Sequence, residues 1–178
     1  MAQNPLDTSA EEAAALVDAI RDLEDRKSRA AAEQADLTAR LAALRPDDAA
    51  GLVAHARRES PARAVRYVGL AKALTTELPH TRAALAAGAL SEWRATLIAR
   101  ETSCLTPEDR AVVDAAICAP DEEGGYPFEG WGDRRLVAET RALVATTDPA
   151  AVVDRRAKAE GDRHVSLRPA PDTMARLS

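Results

Sequence analysis

The stretch LPHTRAALAAGALSEWRATLIARETSCL, residues 78–105, decides the fold that this sequence predicts. It reads as a helix over residues 81–87, a stop at Gly88 and a second helix capped by Ser91, a spacing compatible with a helix-turn-helix. A DNA-reading second helix should expose groups suited to base edges or phosphates. The charged residues offered here are two of each sign: Glu92, Arg94, Arg100 and Glu101. We therefore interpret the stretch as a corner between two packed helices. Glu101, near Trp93 and Cys104, could be a buried acid, but we favour a position on a solvated helix face.

Further helix starts can be read on either side of this corner. Each places a capping side chain before a proline, which is well tolerated at the first helical position; they are Ser60-Pro61, Thr106-Pro107 and Asp148-Pro149. Apolar residues at helical spacing between these starts predict five core faces. They are Val65, Val68, Ala71 and Leu74; Trp93, Leu97 and Ile98; Val112, Val113, Ala116 and Ile117; Leu136, Val137, Thr140 and Val144; and Val152 with Val153. Because alanine is abundant and only 3% of the residues are aromatic, we expect a thin core of small aliphatic side chains.

Residues 9–44 carry a heptad pattern with polar residues in its middle, at Lys27 and Gln34. Two interpretations stay open: an arm that dimerises as a coiled coil, or a long helix packed on its own domain. A homodimer would form through Leu16, Ile20, Leu23, Leu37, Leu41 and Leu44. We divide the chain into a long acidic amphipathic helix, residues 1–45, and a helical domain, residues 46–178.

The C-terminal stretch RHVSLR, residues 163–168, alternates polar and apolar residues and is followed by a turn-like PAPDT and by MARLS. This pattern predicts a rudimentary β-hairpin whose second strand has barely begun, so we expect the domain to be truncated there. The predicted fold class is mostly α: a multi-helix bundle with a long N-terminal heptad-patterned helix and a rudimentary C-terminal β-hairpin.

Composition narrows the function classes. The formal net charge is −5, which argues against a broadly basic, DNA-coating protein. No apolar run approaches the roughly 18 residues that span a bilayer, and no secretory signal is visible, so we expect a cytoplasmic protein without a membrane partner. The two cysteines, Cys104 and Cys118, form neither a disulfide framework nor a metal knuckle and are interpreted as small buried residues.

Catalytic and metal-binding patterns are weak. The three histidines are far apart and share no motif. The loop DEEGGYPFEGWGD, residues 121–133, is acidic, but its spacing does not fit an EF-hand; we expect it to tuck Tyr126, Phe128 and Trp131 onto the helices. No catalytic residue, no metal ligand and no cofactor is predicted for this chain.

One basic patch is a candidate for nucleic-acid binding. The run HARRESPARAVRYVGLAK, residues 55–72, contains a single acid, Glu59. Its basic residues could contact phosphates, and Tyr67 could add stacking; the candidates are Arg57, Arg58, Arg63, Arg66 and Lys72. The alternative is that these side chains pair with the acidic first helix of the same chain.

Several runs resemble the domain-of-unknown-function 222 family, also called the 13E12-repeat family, of high-GC bacteria. The matching elements are ARRESPARA (56–64), LAKAL (70–74), ELPHT (77–81), AALAAGALSEWRA (83–95) and ARETSCL (99–105), with a further likeness over DPAAVVDRRAKAEGDRHVSLRPAPDTMARL. The likeness runs from about Glu11 to the end of the sequence. The family's hairpin turn usually has glycine where this chain has Thr173.

The resemblance implies the N-terminal part of a longer bacterial protein whose C-terminal part is commonly an HNH endonuclease module. In that module histidines activate water and hold a divalent metal, and an asparagine orients the site. This chain has one asparagine, Asn4, and three scattered histidines, so no catalytic residue carries over, and a divalent metal is expected only in the nuclease module. The implied role is to position DNA or a partner for that module. Two alternatives remain: a dimerising interaction module that does not bind DNA, and a degenerate gene fragment.

Overall fold

The computed structural model describes residues 5–161, 167–169 and 175–177. In these described residues the chain forms eight helices, which confirms the mostly helical fold. Their bounds are α1 Pro5–Leu44, α2 Ala49–Arg57, α3 Pro61–Thr76, α4 Pro79–Ala87, α5 Glu92–Glu101, α6 Pro107–Cys118, α7 Asp133–Thr147 and α8 Pro149–Gly161. Within the described part of the chain, no helix combines the length and the apolar composition that crossing a bilayer requires.

Two short strands follow the helices, β1 (Leu167–Pro169) and β2 (Ala175–Leu177). They pair antiparallel, with Leu167 opposite Leu177. The predicted turn PAPDT spans residues 169–173, and all of it after Pro169, including Thr173, lies outside the described residues, as does His164. A complete hairpin is therefore not among the described elements, and the part of the chain that carries the packing is helical.

The predicted capping residues begin their helices as expected. The hydroxyl of Ser60 accepts a hydrogen bond from the backbone N–H of Arg63 at 3.3 Å, and Thr106 accepts one from Asp109 at 3.2 Å. The Asp148 carboxylate accepts one from the N–H of Ala151 at 3.0 Å. Each cap satisfies an N–H group that has no partner inside its own helix, so these starts are fixed by local sequence.

The corner between α4 and α5 has the predicted geometry. Gly88 ends α4 with a φ of +93°, in the left-handed region, and Ser91 caps α5 by accepting from the N–H of Arg94 at 3.3 Å. A Cβ atom at Gly88 would lie 3.1 Å from the Cβ of Asp25 on α1, so glycine is needed for both backbone conformation and space. Five of the ten residues of α5 are buried, as expected for a corner between two packed helices.

The C-terminal half of α1 packs on α3 and α4. Of the predicted leucines in this half, Leu41 is half-buried against Val53, Ala54 and Ala64, but Leu37 and Leu44 stay outside the contact. The buried stripe consists of small residues, one position after the predicted heptad positions: Ser28, Ala31, Ala35, Thr38 and Ala42. The leucines predicted to lie in the seam at 37 and 44 are 60% and 78% exposed. Small side chains let the helix axes approach closely, and that approach leaves Leu37 and Leu44 outside the contact.

The main core contains residues of α1 and of every helix from α3 through α8. The loop between α6 and α7 folds over this core. Most of the residues predicted for the core faces of α3, α5, α6 and α7 are buried, among them Leu74, Ile98, Ile117 and Leu136. Val65 (59%), Trp93 (57%) and Val112 (62%) are instead exposed, as are Val152 and Val153 on α8. The apolar pattern therefore places the faces of α3, α5, α6 and α7 but misses residues at their edges, and it fails on α8.

The acidic loop anchors itself through its aromatic residues, as predicted. Phe128 is 1% exposed and stacks on Tyr126 with ring centroids 5.0 Å apart. Trp131 packs against the core, and its carbonyl accepts a hydrogen bond from Arg94 at 2.9 Å. Among the described residues, no group of three or more histidine, cysteine or acidic side chains is placed to hold a metal ion.

Candidate anion-binding face

Glu101 is a buried carboxylate surrounded by arginines, and not part of a solvated helix face as the sequence predicts. Its side chain is 1% exposed, at the C-terminal end of α5. Three guanidinium groups contact it, from Arg100, Arg141 and Arg155, which we call the arginine cluster. A charge buried this deeply must be paired, and the cluster supplies more positive charge than pairing requires.

The Glu101 carboxylate accepts hydrogen bonds from all three members of the cluster. Arg100 donates from Nε and Nη2 to Oε1 at 3.2 and 2.9 Å. Arg141 donates from Nε to Oε2 at 3.0 Å and from Nη2 to Oε1 at 3.2 Å. Arg155 reaches Oε2 with Nη2 at 3.2 Å and the backbone carbonyl of Glu101 with Nη1 at 3.1 Å. The three guanidinium groups are thereby held in fixed positions around one point.

The three arginines are brought to Glu101 by the end of α5 and by the packing of α7 and α8. Arg100 lies in the last turn of α5, where the helix dipole favours a cation. On α7, Arg141 follows Thr140, a member of the buried stripe Leu136, Thr140 and Val144. On α8, Arg155 lies one turn after the buried Ala151 and therefore on the same side of its helix. Two of the three arginines are thus carried to Glu101 by helix faces that pack for other reasons.

Two opposing effects set the pKa of Glu101. Burial raises the pKa of the carboxyl, because it disfavours the charged form. Hydrogen bonds from Arg141 and Arg100, together with the charges of Arg141 and Arg155, outweigh burial, and the pKa lies below its usual value of 4.5. Glu101 is therefore an anion at neutral pH, and the cluster with its carboxylate carries a net charge of about +2.

Two residues of the predicted basic patch are used within the fold. Arg57 forms a two-pronged ion pair with Glu92 at 2.8 and 2.9 Å, and its guanidinium lies 3.6 Å above the ring of Tyr67. This arrangement ties α2 to α5 and α3. Arg63 pairs with Glu59, four residues earlier, at 2.8 Å. The acid partners come from α5 and from the turn before α3, and not from the acidic first helix.

The other predicted residues remain on the surface. Arg66 and Lys72 are exposed and line one groove of α3 together with Arg100 and Ser103. Ser103 also lines the adjoining groove, which contains Arg155. Arg58 is exposed at the end of α2, in a left-handed conformation with φ of +56°. Arg66 and Lys72 therefore continue the surface of the arginine cluster, and we call these five residues the basic face: Arg66, Lys72, Arg100, Arg141 and Arg155.

Acidic side chains limit the extent of the basic face. Asp148 and Asp154 line the groove beside Arg155, and Glu160 pairs with Arg156 at 3.1 Å. Near α3, Glu77 is engaged by the buried Arg110, whose Nε also donates to the Thr102 hydroxyl at 2.9 Å. These acidic side chains border the basic face near Arg155 and at the C-terminal end of α3.

A second buried carboxylate has a structural role. Asp114 of α6 is fully buried and accepts from the backbone N–H groups of His80 and Thr81 at 2.7 and 2.9 Å. These groups belong to the first turn of α4, whose own N-cap position, Leu78, offers no side-chain acceptor. Asp114 therefore caps α4 from a different helix.

The two cysteines differ in their surroundings. Cys118 is fully buried beside Thr81, as predicted, and burial raises the pKa of its thiol to about 12. Because only the thiolate is a nucleophile, Cys118 is unreactive at neutral pH. Cys104 is half-buried and lines the groove that contains Arg155.

Comparisons with known proteins give a family and no described relative. The family model for the domain of unknown function DUF222 matches residues 11–178. No match was found among curated proteins or among solved structures. Because the family model covers most of the chain, the chain belongs to the DUF222 family.

Proposed function

We propose that this member of the DUF222 family is a non-catalytic domain that binds the phosphate backbone of DNA through the basic face. The observation that carries the proposal is the arginine cluster around Glu101. The side chains of Arg100, Arg141 and Arg155 are 54%, 62% and 39% exposed while they hold a carboxylate that is 1% exposed. Their inner donors are occupied, and their outer surfaces face solvent.

The donor inventory supports binding of an anion. A guanidinium has five N–H donors, and its planar shape suits phosphate oxygens. In this cluster each guanidinium uses only part of that set on Glu101. The remaining donors are oriented in advance, so a phosphate would immobilise little additional side chain.

The location of the cluster supports an extended ligand rather than a single small anion. Arg66 and Lys72 lie along the groove that starts at Arg100, and both side chains are exposed. A row of cations along a groove matches the repeated phosphates of a nucleic-acid strand. Contacts of this kind position a duplex without reading its sequence.

The family resemblance supports DNA as the anionic ligand. It implies an HNH endonuclease module as neighbour, and a phosphate-binding domain could hold DNA for such a module. The basic face lies on α3, α5, α7 and α8, and none of its residues belongs to α1. A second candidate function is a dimerising interaction module. It is favoured by four exposed aliphatic side chains near the N-terminus of α1, Leu16, Val17, Ile20 and Leu23, and it is compatible with DNA binding.

The test is fluorescence anisotropy with a labelled duplex at several salt concentrations. Log affinity should fall linearly with log salt, with a slope of about −0.9 for each phosphate neutralised. The double variant Arg66→Gln, Lys72→Gln changes two exposed residues that do not contact Glu101. It should reduce the magnitude of the slope of log affinity against log salt by about 2. Arg141→Gln should weaken binding further, because it removes a member of the cluster.

A matched control makes the test specific. Arg40→Gln with Arg45→Gln removes the same charge from exposed positions near the end of α1, and it should leave the slope unchanged. The proposal fails if the wild-type chain does not bind the duplex at low salt, or if the control pair lowers the slope as much as the pair on the basic face.

A further inference from the structure

The N-terminal arm of α1, residues 9–24, carries an exposed aliphatic row. Every residue of the arm is exposed, so it extends beyond the body of the protein. Four large aliphatic side chains lie on it, Leu16, Val17, Ile20 and Leu23, with exposed fractions of 60%, 54%, 61% and 53%. Single exposed aliphatic residues are normal on a protein surface, but a contiguous row of four on a projecting helix marks an interaction surface.

The spacing of this row is that of a helix–helix seam. Ala13, Leu16, Ile20 and Leu23 are separated by three, four and three residues, which is the a/d pattern of a coiled coil. The row does not fold back on the protein, because the body contacts a different stripe that starts at Ser28. That anchored half continues the same helix, so the arm needs no separate nucleation to be helical.

We propose that the arm of a second copy of this chain covers the row, running antiparallel. In this register Leu16 of each chain packs against Ile20 of the other, and Leu23 packs against Ala13. Val17 meets its own counterpart at the two-fold axis. The four central layers are then entirely aliphatic, and each large Leu23 faces a small Ala13, as close packing requires.

The charges of the arm favour the antiparallel direction. Glu12 and Arg26 flank the row on the same side, and the antiparallel register places each opposite the other. Neither side chain has an ion-pair partner among the described residues, since Arg26 donates only to the backbone carbonyl of Asp22 at 3.2 Å. A parallel pair would place Lys27 opposite Lys27 within the seam, where the like charges repel. It would also place Glu12 opposite Val17, so Glu12 would have no ion-pair partner.

Shifting the antiparallel register by one heptad toward the body is also unfavourable. That shift would set Leu16 against Lys27 and Glu12 against Glu33, which replaces an apolar layer and an ion pair by a mismatch and a repulsion. The sequence of the arm therefore favours the antiparallel direction and disfavours a shift of the register toward the body. The inference does not depend on DNA binding, because the arm contributes no residue to the basic face.

The first experiment is sedimentation velocity on the whole chain over a concentration series from about 5 to about 500 µM, a range suited to a small interface. The wild-type chain should change from monomer to dimer across the series. Leu16→Gln with Ile20→Gln should remain monomeric at the highest concentration. Glutamine keeps a high helix propensity, and neither position touches the body, so circular dichroism should be unchanged.

A matched pair separates the arm from the rest of the heptad pattern. Leu37→Gln with Leu44→Gln removes two residues that the heptad pattern also predicts for a homodimer and that are 60% and 78% exposed. The antiparallel register leaves both outside the contact, so this variant should dimerise as the wild type does.

A charge exchange tests the direction. Glu12→Arg and Arg26→Glu should each weaken the dimer about tenfold, because each creates two like-charge contacts. The double variant should recover the wild-type dissociation constant. A wild-type chain that stays monomeric overturns the proposal and leaves the row for a different partner. A dimer that the Leu37 and Leu44 variant dissociates, or that the double exchange does not restore, overturns it equally.

Discussion

Glu101 shows how a single residue can determine the chemistry of a surface. Its carboxylate orients three arginines, and they in turn keep it charged in a buried position. Glu101→Gln keeps the shape and removes the charge, so it should lower the free energy of unfolding by about 2 kcal/mol at pH 7. Urea unfolding monitored by circular dichroism measures this loss.

The same residue predicts a pH dependence. Because the pKa of Glu101 is lowered in the folded chain, its contribution is fully present above 4.5, the unfolded value, and is lost as the pH falls through the lower folded value. The stability difference between wild type and Glu101→Gln should therefore shrink in acid. Glu139→Gln breaks an exposed pair with Arg135 at 3.6 Å and should cost less than about 0.5 kcal/mol at either pH. Equal effects of the two substitutions would contradict the assigned role.

At the scale of elements, the corner between α4 and α5 depends on one backbone conformation. Gly88→Ala places a Cβ 3.1 Å from that of Asp25 at a φ of +93°, so we expect a loss of about 1–2 kcal/mol in unfolding free energy. Gly69→Ala provides the matched control. Gly69 lies inside α3, where an added Cβ meets nothing within 4 Å, so alanine there should stabilise by up to about 1 kcal/mol. Thermal unfolding should show midpoint shifts of opposite sign, and shifts of the same sign would contradict this account.

Elements also show what the sequence could predict. Helix starts at Ser60, Thr106 and Asp148, and the stop at Gly88, depend on contacts within a few residues, so local sequence determines them. The faces of α1, α3 and α6 depend on which neighbour packs closest. The predicted seam of α1 is displaced by one residue, because small side chains beside it permit a tighter approach than Leu37 and Leu44 would. The predicted faces of α3, α5, α6 and α7 are largely correct, since Leu74, Ile98, Ile117 and Leu136 are buried, and the misses lie at their edges, at Val65, Trp93 and Val112.

The candidate site was predictable only in part, for the same reason. Arg66 and Lys72 were identified because they are close together in sequence. Arg141 and Arg155 reach Glu101 from 40 and 54 residues away, a distance that no local pattern spans. Arg57 was misleading, since its partner Glu92 is 35 residues distant. The signal that could have found the cluster is an acid in the last turn of an otherwise apolar helix face, next to Ile98 and Leu105.

On the scale of the whole molecule, the arm and the body are expected to be energetically separate. Residues 9–23 are all exposed, so removing residues 1–23 should change the unfolding free energy of the dilute monomer by less than about 0.5 kcal/mol. Removing residues 1–36 also deletes Ser28, Ala31, Ala32 and Ala35 from the core and should cost several kcal/mol. Urea unfolding of both truncated chains measures the difference. A large loss on the shorter truncation would show that the arm supports the body.

Asp114 of α6 caps α4 by accepting hydrogen bonds from the backbone amides of His80 and Thr81. Hydrogen exchange at these two amides should therefore measure how often α6 separates from α4. The N–H groups of His80 and Thr81 would normally be the first to fray, since no residue of their own helix accepts from them. Here their protons are protected by a carboxylate of α6, 33 or 34 residues along the chain. Their exchange rate therefore follows the separation of α6 from α4 rather than local fraying, and these two amides should exchange with the slow core of the protein.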